Sequence, residues 1–246
     1  GGFYTHYVDT TNPNATDSSN SYGTLDKPRK TVPWNLPFGS VVEVHGGPYN
    51  YGTPTGRYKW TWFSGTGTQN QPVFIRGSGS PSPRFDTMEI RTGGSYVIME
   101  AMDFNDTLTM VHKEKVSDHI VWRNVEVRDG SPRFADAVSA AAGTHVVIYG
   151  CYIHNNGDPD WPEENDYHAT AAGAYARHVW ILDNHMHGNA GDSVQIESRA
   201  IPLDEVARYI YIGRNVMHEE GENAVDLKQC ADVIVSGNEM FGFDPT

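Results

Sequence analysis

The sequence predicts an all-β chain wound as a right-handed parallel β-helix, and three observations predict it. An apolar set at relative positions 0, +2, +5 and +7 recurs six times without a gap. Two further apolar positions, +15 and +17, return at the same offsets in successive repeats. Asparagine holds the +5 position in the last three repeats. Self-similarity at a period of about two dozen residues is the signature of a solenoid, in which each unit buries its apolar face on the next.

The repeats start at Val97, Ile120, Val146, Val179, Ile210 and Val233, separated by 23, 26, 33, 31 and 23 residues. Val73 and Ile75 open a less regular coil 24 residues before Val97. Positions 0 and +2 alternate as a strand does, and the step to +5 requires a bend before alternation resumes at +7. Val194/Ile196 and Val225/Leu227, at +15 and +17, supply a third strand, so each coil carries three short parallel strands and the chain holds about seven coils. Asn184, Asn215 and Asn238 then stack at one corner, where carboxamides bond from coil to coil and asparagine suits a left-handed backbone. Residues 1–50 read as an N-terminal cap and leading strand, and 51–246 as the coils. The sequence stops at Phe243-Asp-Pro-Thr with no terminal helix, which leads to the expectation of further chain, a covering partner or self-association at that end.

The segments Arg177-His-Val-Trp-Ile-Leu-Asp-Asn-His-Met-His and Arg208-Tyr-Ile-Tyr-Ile-Gly-Arg-Asn-Val-Met-His resemble repeats of the pectin-lyase-like β-helix superfamily, and the resemblance runs over residues 73–246. Tyr7-Val-Asp, Tyr22-Gly-Thr, Lys27-Pro-Arg-Lys-Thr and Gly39-Ser-Val-Val-Glu-Val-His-Gly-Gly-Pro-Tyr are similar to the leading segment of secreted β-helix enzymes. The resemblance implies a polysaccharide laid along the outside of the coil and a secreted, extracellular or periplasmic protein.

Charge narrows the partners. With 31 acids against 18 bases, the net charge of −13 lacks the basic stripe that a phosphate backbone needs, which excludes nucleic acid. No run of 18 apolar residues exists, so no membrane helix is expected. Cys151 and Cys230 fall in different columns of different coils and are expected to be free thiols.

Inward side chains of a β-helix are core, so chemistry belongs to outward positions and corner loops. The two longest insertions, residues 154–168 and 198–207, border the third-strand face. There Gln195 and Glu197 point outward from one coil and Asp226 and Lys228 from the next, as either an ion-pair ladder or a site. Glu222, Asn223 and Asp226 set oxygens around one corner with Asp192 a coil below, a donor set for calcium. The segment resembles the acidic corner of calcium-dependent pectate lyases of the β-helix superfamily, with Asn223 where a carboxylate is expected. That resemblance implies β-elimination on an acidic, uronate-containing polysaccharide. The proton α to the carboxylate becomes acidic once that carboxylate is neutralised, and a base waits opposite. Lys228 is the candidate base, or else a charge partner.

His154, His187 and His218 hold the +8 position of three consecutive coils and stack outside the coil. His187 and His218 are candidate proton carriers, with His154 as a sugar-binding donor, or all three form a surface ladder. His112, His119, His145 and His178 read as surface residues at repeat starts. Trp161 and Tyr167 either stack on sugar rings or anchor the long loop. His168 and Gln195 complete the substrate-binding set, and Arg199, with Arg177, is a candidate carboxylate clamp. The functional readings are a polysaccharide lyase; a glycoside hydrolase using Glu197 and Asp226; or a non-catalytic glycan-binding or structural β-helix.

Overall fold

The structure, a computed structural model, describes residues 3–50, 60–86, 89–105, 107–110, 117–130, 136–158, 167–197 and 201–243. Its strands pair in parallel along three ladders, with no helix among the described residues. Alternate apolar positions turn inward because successive strand side chains face opposite ways, and each coil hides that row against the next. Val97, Ile120, Val146, Val179, Ile210 and Val233 are successive register partners on the first ladder. Phe104, Val127, Ile153, Met186, Met217 and Met240 are partners on the second. Val138, Thr170, Val194 and Val225 are partners on the third. Parallel strands joined through such crossovers wind right-handed, and the architecture is the right-handed parallel β-helix the repeats predict.

The core runs along the axis. In the early coils aromatic rings fill it: Tyr49 stacks on Phe85 at 4.6 Å, Phe85 lies 5.4 Å from Phe104, and Phe63 meets Phe85 edge-on at 5.3 Å. Later coils use Val, Ile and Met, all buried, each contributing about 1.5–3 kcal/mol. Burial fails at the last coil, where the inward Leu227, Val235 and Met240 are 44, 41 and 42% exposed. Cys151 is buried, Cys230 is half-buried, and both are free.

The predicted asparagine ladder is present. Asn184 Nδ2 donates to Asn215 Oδ1 at 2.9 Å, and Asn215 Nδ2 to Asn238 Oδ1 at 2.9 Å. Its backbone differs from expectation. The left-handed residue is the one before the +5 position, at Ala101, Asn124, Gly150, Asp183, Arg214 and Gly237, so the amide stack serves hydrogen bonding while +4 makes the turn. A second left-handed position precedes each repeat, at Tyr96, His119, His145, His178, Tyr209 and Asp232.

The ladder begins well before residue 51: His6–Asp9 pairs with Val41–His45, and that strand with Val73–Gly77. One strand, Glu89–Glu100, belongs to two ladders. Its first half pairs with Trp60–Thr66 on the third and its second half with Val73–Gly77 on the first. Gly94, at φ +100°, lies where that strand bends, and a Cβ there would collide with the Gly65 carbonyl.

Candidate functional site

The third ladder assembles the outward residues read from the register. Gln195 is the partner of Asp226 and Glu197 of Lys228, on Val194–Glu197 and Val225–Lys228. Lys228 Nζ lies 3.0 Å from Asp226 Oδ2. The Gln195 carboxamide is oriented by its neighbours: its oxygen accepts from Lys228 Nζ at 3.1 Å and His168 Nε2 at 2.8 Å, and its nitrogen donates to Glu197 Oε2 at 3.0 Å. Five side chains from three coils thus form one hydrogen-bonded set.

His168 is the deepest member, 1% exposed. The long loop brings it there because Tyr167, just before it, is fully buried. The Tyr167 hydroxyl lies against Gly130, where a Cβ would stand only 2.3 Å from it. Tyr167 is therefore a loop anchor inside the coil, and the sugar-stacking role does not apply to a ring with no exposed face. The backbone N–H of Asp192 donates to His168 Nδ1 at 3.0 Å, the same nitrogen lies 3.3 Å from Asp192 Oδ2, and Nε2 faces the Gln195 carboxamide.

Asp192 is fully buried. Its Oδ1 accepts from both the backbone N–H and the Nδ2 of Asn223, each at 2.9 Å. His168, Asp192 and Glu222 each bring a ligand atom within 4.8 Å of the others, a grouping able to hold a metal ion. Asp226 stands outside it, paired with Lys228, and Asn223 turns its amide nitrogen inward rather than an oxygen. Calcium takes six to eight hard oxygens. The grouping offers one imidazole nitrogen and the carboxylates of Asp192 and Glu222, fewer oxygens than that set, and Asp192 Oδ1 already accepts two N–H donors.

Asp192 leads inward to a feature the sequence reading missed. Asn156 Nδ2 donates to Asn189 Oδ1 at 2.7 Å, Asn189 Nδ2 donates to Glu220 Oε1 at 3.0 Å, and Ser193 Oγ donates to the same oxygen at 2.8 Å. The signal was available, since Asn156, Asn189 and Glu220 fall at +10 of consecutive repeats. Burial pushes the Glu220 carboxyl up to about 7, against the pull of these hydrogen bonds, with Asp192 adding repulsion.

The predicted histidine column stands on the second ladder. His154 stacks on His187 at 5.3 Å and His187 on His218 at 4.9 Å. His185, not singled out from sequence, crosses to place its Nε2 2.8 Å from His218 Nε2, while Tyr152 Oη meets His187 Nε2 at 2.8 Å. Burial lowers the pKa of both His185 and His187, and neighbouring imidazoles lower it further. Neither residue is bonded to the Gln195 set by any contact described above, so the histidine column and the third-ladder cluster are separate features. Arg177 spends its guanidinium on the backbone oxygens of Ala176, Val206 and Asp204, and so serves the coil rather than a substrate carboxylate. Trp161 and Arg199 lie outside the described residues.

No family model matches the sequence, and no curated protein matches it. Solved structures do. The A-module of an Azotobacter vinelandii mannuronan C-5 epimerase is 12% identical, with a TM-score of 0.46 over 81% of this chain and 68% of that one. An alginate lyase from Paenibacillus is 12% identical, with a TM-score of 0.44 over 84% of this chain and 91% of that one. A lacto-N-biosidase of family GH136 from Eubacterium ramulus is 14% identical, with a TM-score of 0.43 over 96% of this chain and 56% of that one. At these identities the likeness is one of fold.

Proposed function

We propose that the chain is a polysaccharide lyase that cleaves a uronate-containing glycan lying along the outward face of the third ladder. The observation that carries this reading is the connected set of His168, Gln195, Glu197, Asp226 and Lys228, which combines one cation with two carboxylates at the surface. Lys228, steadied by Asp226 and Gln195, neutralises the uronate carboxylate and so acidifies the proton on the adjacent carbon. Glu197, opposite Lys228 in the ladder, takes that proton. The carbon–hydrogen electrons form the new double bond, the glycosidic carbon–oxygen bond breaks, and the departing oxygen recovers the proton from Glu197. His168 holds the Gln195 carboxamide through its Nε2 and acts as a positioning residue. The protein's own groups carry each step, and none is routed through calcium. A uronate chain as substrate puts the protein outside the cytoplasm, secreted or periplasmic.

Release of an unsaturated, ultraviolet-absorbing product from uronate polysaccharides is the test. K228A and E197Q are each expected to lower the rate roughly a hundredfold or more. K228R is expected to keep a measurable fraction, since a guanidinium still neutralises a carboxylate. Complete loss in K228R, with folding intact, returns Lys228 to the role of base. Chelator is expected to leave the rate unchanged, and loss restored by added calcium overturns the metal-free route.

A second reading has its own observation. Glu197 and Asp226 sit on neighbouring strands one alternate position apart, a diagonal of about 8 Å from strand spacing and rise. That falls in the range of inverting glycoside hydrolases, about 6.5–9.5 Å. Saturated products with inverted anomeric configuration select it.

A further inference from the structure

The first ladder carries a cluster that the proposed chemistry does not use. His119 Nδ1 lies 2.7 Å from Asp118 Oδ2, and His145 Nδ1 lies 2.9 Å from Asp118 Oδ1. All three ligand atoms fall within 4.8 Å of one another, contributed by two successive coils.

In a regular strand, neighbouring residues point to opposite faces, so Asp118 and His119 would not meet. His119 and His145, however, are left-handed, each at φ 55°, and that turn brings adjacent side chains to the same side. The rings are also held in place. Tyr96 stacks on His119 at 4.2 Å, His119 on His145 at 4.4 Å, and His145 on His178 at 4.8 Å with planes 4° apart. A ligand ring clamped between two others loses little rotational freedom on binding an ion. The same two histidines form part of the wall of a groove of about 300 Å³ whose floor is Ile98, Val121, Val147 and Trp180.

We propose that Asp118, His119 and His145 form a binding site for a divalent transition-metal ion of the zinc class. Two imidazoles and one carboxylate are the donors that borderline ions prefer, and three protein ligands leave a coordination position open for water or a ligand from the groove. The other aligned histidines lack this combination. His178 continues the ring stack one coil on, but the residue before it is Arg177, so no carboxylate faces it from that position. His185 and His218 converge, and His218 Nδ1 lies 3.2 Å from Glu219 Oε2, but among the described residues they join no group of three ligand atoms within 4.8 Å of one another.

Zinc titration of the full chain by calorimetry, with cobalt substitution read by visible absorption, tests the site. A saturable zinc site is expected, separate from any ion held at His168, Asp192 and Glu222, that is weakened roughly tenfold or more in both D118N and H145A with loss of its part of the cobalt spectrum. H178A, which removes a stacked ring but no ligand, is expected to bind within a few-fold of the parent protein. Thermal melts verify that each variant is folded, and D118N, nearly isosteric, serves where H145A is not. The proposal is overturned if zinc does not saturate, if D118N binds as the parent does, or if H218A abolishes binding while D118N leaves it intact.

Discussion

Two columns of buried amides run along the coil, and they differ in their last member. Asn184, Asn215 and Asn238 pass hydrogen bonds head to tail, each oxygen accepting from the coil before and the nitrogens of Asn184 and Asn215 donating to the coil after. Asn156 and Asn189 begin in the same way, but the column ends on Glu220, which accepts from Asn189 and Ser193 and hands nothing on. The neutral column is a structural seam. The second ends in an ionisable group next to Asp192, whose backbone fixes His168 in the candidate site. Replacing one amide by one carboxyl thus converts a passive stack into a column that responds to pH.

Cutting each column separates the two roles. N215A removes four hydrogen bonds at once, two accepted from Asn184 and two donated to Ile181 and Asn238, and leaves buried groups unsatisfied. It is expected to cost on the order of 3 kcal/mol or more in denaturant unfolding, and a loss below 1 kcal/mol would show that the seam is not held by its amides. The acidic column has an effect of similar size but tied to pH. Because the folded carboxyl of Glu220 titrates at about 7, above its unfolded value, the folded state binds the extra proton. Its contribution is therefore full below the unfolded value and is lost as pH rises through about 7, on the order of 3 kcal/mol in total. The melting temperature is expected to fall between pH 5 and pH 8, with a shallower slope in E220Q, and an unchanged slope would remove Glu220 as the cause. N238A is the smallest case. Asn238 itself is only half-buried, so about 1 kcal/mol is expected, and a cost equal to that of N215A would mean that this position is covered in solution.

The sequence made the inward architecture legible because burial is periodic. Every starting residue from Val97 to Val233 takes its place in the register, and the pairing of Gln195 with Asp226 and Glu197 with Lys228 follows from counting alternate residues. What escaped was set by backbone turns and loop ends. His119 and His145 read as surface positions because alternation assigns each residue one face, and the left-handed residue breaks that rule. Tyr167 read equally as a sugar platform or an anchor, since only the fold shows that Gly130 leaves room for its ring inside. Glu220 shares its +10 position with two asparagines, yet an acid in a turn reads as solvated until Ser193 and Asn189 are seen around it.

The strand Glu89–Glu100 carries a mechanical consequence. A solenoid whose units touch only their neighbours frays from its ends, one coil at a time. Here one uninterrupted strand pairs with coils on two faces, so the units on either side of it share a splint. Under load, the strands Trp60–Thr66, Val73–Gly77 and Asp118–Arg123 are expected to open together with Glu89–Glu100, whereas Arg208–Gly213 and Ala231–Ser236, which lack such a splint, part singly.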